Sequence, residues 1–424
     1  ISDRKLELSS DGFKQDVRAV PVPFVNAGEQ RFGGNVNTLF EAKVGQKARQ
    51  IRLTLTPARP ECTVYLAEVE LHGVRPGATT PITACATGDL NGDGKAEVVV
   101  GSASGGIRAL TADGQPLWTF ASDDRAAINC LACADVDGDG KAEVMYGTAG
   151  RLGLLGSDGK ERWRAEPPKF RGLTSDVMTV FPADVNGDRK TEIVCGCASW
   201  QYFAYDAQGK MVWKNIIYAH SATVGCAADV DGDGKDEIVA GNVYYRLNLI
   251  DHDGKRLWNA GNLGPEMTAV AAADVNGDKR PEILTGVDGG NLHCYDRTGK
   301  ELWVINLGDK VTRILAVDLN GDGKDEIVCS AESAHVFALN TDGRILWRTA
   351  LPDGVSDLAL VRGKGKALFV AAAGTAGVAV LDGDGKVLAV ATTQDRANSV
   401  LLSDGRAFAT TAKGAVEAFE LPLR

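Results

Sequence analysis

The sequence predicts an all-β protein, an eight-bladed β-propeller with four-stranded antiparallel blades, preceded by a short β segment. Three observations lead there. First, six segments read almost alike: DLNGDGKAEV from Asp89, DVDGDGKAEV from Asp135, DVNGDRKTEI from Asp184, DVDGDGKDEI from Asp229, DVNGDKRPEI from Asp274 and DLNGDGKDEI from Asp318, spaced 46, 49, 45, 45 and 44 residues apart. Second, each is followed 28 or 29 residues later by a tryptophan: Trp118, Trp163, Trp213, Trp258, Trp303 and Trp347. Third, the stretches between these marks are short apolar runs separated by Gly/Asp/Asn turns, as in AVAAADV, EILTGV, NLHCYD and ELWVINL. Runs of that length joined by such turns are antiparallel strands, and four strands per ~45 residues is the arithmetic of a propeller blade. A helical repeat would need apolar residues at i, i+3 and i+4 over long stretches, and these do not occur.

Taken in order, residues 1–77 lack the repeat and form an N-terminal β segment, in which IRLTLT and YLAEVELHG alternate as strands do. Residues 78–424 form the propeller. After the six clear copies, LVRGKGKALFV (Leu360 to Val370) is a worn copy with Leu360, Arg362, Lys364 and Leu368 at the acidic positions, and Ala389 stands at its tryptophan position. The last copy, from Ser399, supplies three strands and stops. A fourth strand from the segment before Ile82 would close the ring as a mixed blade. Seven blades is the alternative count.

The pattern D-x-[DN]-G-D-x-x-x-E places oxygen side chains at positions 1, 3, 5 and 9 of a tight loop between two strands. Hard cations such as Ca²⁺ take six to eight oxygens, and alternate residues of such a loop supply them. The expected ligands are Asp89, Asn91, Asp93 and Glu97; Asp135, Asp137, Asp139 and Glu143; Asp184, Asn186, Asp188 and Glu192; Asp229, Asp231, Asp233 and Glu237; Asp274, Asn276, Asp278 and Glu282; and Asp318, Asn320, Asp322 and Glu326. About six structural Ca²⁺ ions are therefore expected. Carboxylates crowded into one turn repel, and a bound cation compensates.

The acidic loops resemble those of FG-GAP/VCBS-type calcium-binding β-propellers, and the Gly-Lys-x-Leu-Trp ends resemble the tryptophan-docking repeats of quinoprotein-like propellers. Propellers of this kind include integrin heads, lectin-like modules and rhamnogalacturonan lyases, so the resemblance implies fold and metal but no single activity. Lys47 to Val74 is similar to the last strands of discoidin-like β-sandwiches, which commonly bind sugars or membranes.

In a propeller, the connections between blades and between second and third strands lie on the face opposite the acidic loops, around a concave mouth where ligands bind. Arg125, Trp200, Tyr202, Tyr244, Arg313 and Arg396 are the expected ligand-binding residues there. Two function classes follow: binding of extracellular carbohydrate, in particular anionic polysaccharide, and a lyase cleaving uronic-acid chains by β-elimination. The lyase reading would use His220 with Tyr218 or Tyr245 as base and acid, and Arg171 or Arg246 to neutralise the carboxylate. A protein-binding or adhesion module is the third reading.

The formal charge of −10, from 46 Lys+Arg against 56 Asp+Glu, argues against nucleic acid as a partner. Much of that acidity sits at the loop ligand positions, and six divalent ions would bring the balance close to neutral. No apolar run reaches the ~18 residues of a membrane span. Nine cysteines without paired metal-ligand spacing read as small buried strand residues. Calcium loops of this kind favour a secreted, periplasmic or cell-surface setting, with a signal peptide removed ahead of Ile1.

Overall fold

The computed structural model describes the backbone of five N-terminal strands and residues 80–421, apart from 218, 219, 245, 262, 265 and 362–366. The chain divides into two units, Ile1–Ala78 and Thr79–Arg424. In the first, Asp3–Ser9 lies between Arg18–Val20 and Gln50–Thr56 in an antiparallel sheet, with Leu6 opposite Leu53. Val25–Phe32 and Asn35–Glu41 form a separate hairpin. The strand expected in YLAEVELHG lies outside the described residues.

The second unit has eight antiparallel sheets in chain order, and no helix among its described residues. Blade 1 is Ile82–Gly88, Glu97–Ser102, Gly106–Leu110 and Pro116–Ala121. Blade 7, the worn copy, keeps four strands, from Asp357–Val361 to Val387–Ala391. Blade 8 has three: Ala397–Ser403, Arg406–Thr411 and Val416–Glu420. The segment expected to add its fourth strand lies mostly outside the described residues. The ring thus has eight blades, not seven.

Each second strand is sandwiched between neighbouring blades, which explains its composition. In blades 2 to 6 all six of its residues are buried, as in Glu143–Thr148, whereas fourth strands such as Glu301–Asn306 alternate between exposed and half-buried. The apolar core is therefore a set of seams between blades, not one central mass. One cluster joins Leu284 and Leu292 of blade 5 to Ile314 and Ile327 of blade 6, and Val98, Val100 and Phe408 join blades 1 and 8.

The periodic tryptophans stitch these seams. The indole Nε1 of Trp118, Trp163, Trp258 and Trp303 donates at 2.9 Å to Ser157, Ala207, Arg297 and Thr341 carbonyls in the next blade, and that of Trp347 donates to Gly383 at 3.0 Å. The receiving turn ends in a glycine that must be a glycine. Gly343 has φ +76°, and a Cβ there would sit 2.6 Å from the Trp303 ring. The eight described cysteines form no disulfide, and burial pushes the Cys133 and Cys226 thiols up to about 12.

Candidate functional site

Every acidic loop joins the first and second strands of its blade, so all six lie on one face of the ring. The first loop shows how the sequence folds. Asp89 Oδ1 accepts from Gly92 N (2.7 Å) and Asp93 N (3.2 Å), and Oδ2 from Gly94 N (2.8 Å). Asn91 Oδ1 accepts from Asp93 N, and Asp93 Oδ1 from Lys95 N, each at 2.8 Å. The short side chains thus wrap the backbone into an Asx-type coil. Its fourth and sixth residues are left-handed. In loops 3 and 5 the sixth is Arg189 (φ 65°) or Lys279 (φ 66°), which costs strain that glycine avoids.

The closing glutamate is buried in every loop, and its Oε2 accepts the NH of loop residue 2, as Glu97 does from Leu90 at 2.9 Å. Burial, opposed by that bond and reinforced by the neighbouring carboxylates, pushes Glu192 and Glu237 up to about 7 and raises Glu97, Glu143 and Glu282.

Position 3 divides the loops into two kinds. Where it is asparagine, Nδ2 donates to the glutamate Oε1: Asn91 to Glu97 (3.1 Å), Asn186 to Glu192 (2.8 Å), Asn276 to Glu282 (2.6 Å) and Asn320 to Glu326 (3.0 Å). Where it is aspartate, in loops 2 and 4, the asparagine amide is missing: Glu237 Oε1 is buried without a hydrogen-bond partner, and Glu143 Oε1 has only the Arg162 guanidinium in its place. There Asp135, Asp137 and Glu143, and likewise Asp229, Asp231 and Glu237, bring ligand oxygens within 4.8 Å of one another. An orphaned buried carboxylate oxygen in an all-oxygen cluster fits a hard cation. Loop 2 also holds an internal cation: Arg162 hydrogen-bonds Asp137, and its Nη2 lies 3.1 Å from Glu143 Oε1.

On the opposite face an aromatic row runs across blades 3 and 4. The Arg171 guanidinium lies 5.1 Å from the Phe170 ring centre, Phe170 lies 6.3 Å from Trp200, Trp200 6.0 Å from His220, and His220 4.3 Å from Tyr244. Tyr244 is 44% exposed. Arg171 (φ 50°), Trp200 (φ 65°) and His220 (φ 96°) all have left-handed backbones, a costly arrangement for side chains of this size.

Other expected mouth residues fall elsewhere. Tyr202 is fully buried, its hydroxyl donating to Val224 O (2.7 Å) and Gly241 O (3.0 Å), so it packs the seam and shows no surface to a ligand. Arg313 lies 3.8 Å from Asp357 and lines the channel between first strands with Ile314, Leu358 and Val400. Arg125 is exposed at the blade 1–2 connection, and Arg396 faces Asp353. Arg246 receives its place from Asn242, whose Oδ1 accepts Arg246 N at 3.3 Å. Tyr218 and Tyr245 lie outside the described residues. Sequence reasoning missed Phe170, Arg162 and His252.

Comparison with known proteins agrees with this architecture. An FG-GAP-like repeat model matches residues 89–146 and 135–195, a model of outer membrane protein assembly factor BamB matches 245–416, and a lambda-carrageenase beta-propeller domain model matches 201–273. No curated protein sequence matches. Among solved structures, BamB from Moraxella catarrhalis is 19% identical, with 77% of this chain and 94% of that chain covered and a TM-score of 0.57. The computationally designed Ika8 protein is 18% identical (82% and 98% covered, TM-score 0.62). Chaetomium thermophilum Sqt1, solved bound to the N-terminus of ribosomal protein L10, is 12% identical (81% and 98% covered, TM-score 0.66). These likenesses are of fold. The protein is an eight-bladed β-propeller carrying FG-GAP-like repeats. No helix among the described residues is long and apolar enough to cross a membrane.

Proposed function

We propose that the protein is a secreted or cell-surface propeller, stabilised by calcium, that binds extracellular carbohydrate, in particular anionic polysaccharide. The row Phe170, Trp200, His220 and Tyr244 carries this reading. Aromatic faces stack on sugar rings, and Arg171 at the end of the row supplies a cation for a carboxylate or sulfate. The match to a lambda-carrageenase propeller domain spans 201–273, which includes His220 and Tyr244. Calcium is supported by the donor chemistry of the loops. In loop 4 it would meet the orphaned Glu237 oxygen, in loop 2 it would displace the Arg162 guanidinium from Glu143, and in the other four it would replace the asparagine amide at the glutamate.

The test is direct binding of the whole protein to sulfated galactan, pectate and a neutral glycan. Affinity for an anionic chain should fall at least about tenfold in Trp200→Ala, an anchor of the row. Absence of binding to every glycan would overturn the carbohydrate reading in favour of protein recognition. Elemental analysis should find about six calcium ions per chain; fewer than three would overturn the metal assignment.

A second reading, β-elimination, is favoured by one observation: the strained His220 backbone beside the Tyr244 ring. It requires an unsaturated product, followed by its absorbance, whose formation at saturating polysaccharide is lost in His220→Ala.

A further inference from the structure

Blade 4 departs from its neighbours at the turn between its third and fourth strands. The second residue of this turn is Ala112, Ser157, Ala207, Arg297, Thr341 or Gly383 in other blades, and His252 here. In blades 3 and 5 the first turn residue accepts the NH four residues on, as Asp206 does from Lys210 at 2.9 Å and Asp296 from Lys300 at 3.0 Å. In blade 4, Lys255 N turns instead to Asp253 Oδ1 (3.0 Å), and Asp251 Oδ1 accepts from His252 N (2.9 Å). The docking indole at this seam, Trp213 Nε1, is left without a hydrogen-bond partner.

The altered turn brings an imidazole to the acidic loop. His252 Nδ1 lies 3.9 Å from both Asp233 Oδ2 and Glu237 Oε1, and 2.8 Å from Asp251 Oδ1. Ligand atoms of Asp233, Glu237 and His252 all fall within 4.8 Å of one another. Glu237 is fully buried and its Oε1 has no hydrogen-bond partner, while His252 Nδ1 meets only the Asp251 carboxylate of its own turn. Lys235 Nζ meets the cluster from outside, 3.1 Å from His252 Nε2 and 3.7 Å from Asp233 Oδ2.

We propose that the fourth loop is a mixed imidazole–carboxylate site for a divalent transition ion of the zinc type, held by His252, Glu237 and Asp233. Donors each ~2.1 Å from a tetrahedral ion stand ~3.4 Å apart, so the 3.9 Å separations need to close by only about 0.5 Å, within side-chain rotation. Calcium selects oxygen donors, whereas imidazole nitrogen favours zinc and its neighbours in the series. On binding, Nε2 carries the imidazole proton and the part-exposed Lys235 ammonium moves to solvent. The inference rests on the reading that the acidic loops hold cations, but not on their holding calcium.

The experiment dialyses the whole chain against Zn²⁺ in excess Ca²⁺ and counts both metals per chain, with Co²⁺ absorption as a report of nitrogen ligation. One zinc per chain is expected in the wild type and in His335→Ala. His252→Ser, which installs the residue type of blade 2, and Glu237→Gln should each bind zinc at least about tenfold more weakly. Zinc retained equally by His252→Ser, or no zinc in the wild type, overturns the proposal. Six calcium ions with no zinc would overturn it and leave the calcium reading standing. One His252-dependent zinc with no calcium in any loop would uphold it and overturn the calcium reading.

Discussion

Arg406 and Ala112 meet across the seam that closes the ring: Nη1 of Arg406 donates to the Ala112 carbonyl oxygen at 3.4 Å and to Asp113 Oδ1 at 3.0 Å. Ala112 holds the turn position that receives a docking indole at five other seams. Among the described residues blade 8 has three strands and no docking tryptophan, and a guanidinium from its second strand takes the indole's place at this seam. Glu420 holds that guanidinium at 2.6 Å, and Lys95 pairs with Asp404 at 2.6 Å on the same seam.

A guanidinium in place of a docked indole makes this seam the one expected to open first. Phe408, 1% exposed, is its largest buried side chain. Phe408→Ala should cost about 3–5 kcal/mol in equilibrium denaturation. Arg406→Ala should lower the melting temperature and accelerate limited proteolysis near blade 8, while an equivalent loss at Arg256, on an interior blade, should change neither.

The indoles allow a paired comparison. Trp303→Phe removes the bond to the Thr341 carbonyl and should cost about 1 kcal/mol beyond the change in ring size. Trp213→Phe removes an Nε1–H that already lacks a partner, so its cost should be smaller by that amount. Equal costs would mean that the hydrogen bonds contribute nothing to seam stability.

Arg162 should behave as a resident cation. Other blades carry leucine or valine at its position, from Leu117 to Leu388, between 40% and 54% exposed. Arg162→Leu leaves Asp135, Asp137, Asp139 and Glu143 facing one another without the guanidinium. The variant should melt lower than wild type in chelator, and the difference should shrink or reverse in millimolar calcium, because loop 2 then binds its ion without competition.

The blades and loops were legible because each is written six times, and a strand period repeated in register averages out local ambiguity. Repetition also contained what was missed. Arg162 breaks a column of apolar residues and His252 a column that includes small Ala112, Ser157, Ala207 and Gly383, yet both lie in turns and edge strands distant from the acidic motif along the chain. Tyr202 was misplaced for another reason. The connection after Cys197 ends at Trp200, so Gln201–Tyr205 is already a buried strand, and a two-residue shift of boundary separates a mouth residue from a core one. Phe170 sits in a long irregular connection, where no periodicity tells which side chain folds back onto Trp200.

Asp353 gives a dependence on pH whose sign is set. Its carboxylate accepts from Thr375 N (2.8 Å), Thr375 Oγ1 (2.7 Å) and Gly354 N (2.8 Å), tying the blade 6–7 connection to a turn of blade 7. These bonds, Thr375 N foremost, hold it down to about 2, below its ordinary value of 3.8. The native state thus prefers the ionised form, and the unfolded chain takes up the proton first. The stabilisation is fully present above about pH 4 and is lost as pH falls through about 2. Asp353→Ala should therefore be less stable than wild type in denaturant titrations at neutral pH, by an amount that is constant down to about pH 4 and narrows below it. A gap that stays constant to pH 2 would assign the loss to packing and not to the charged hydrogen bonds.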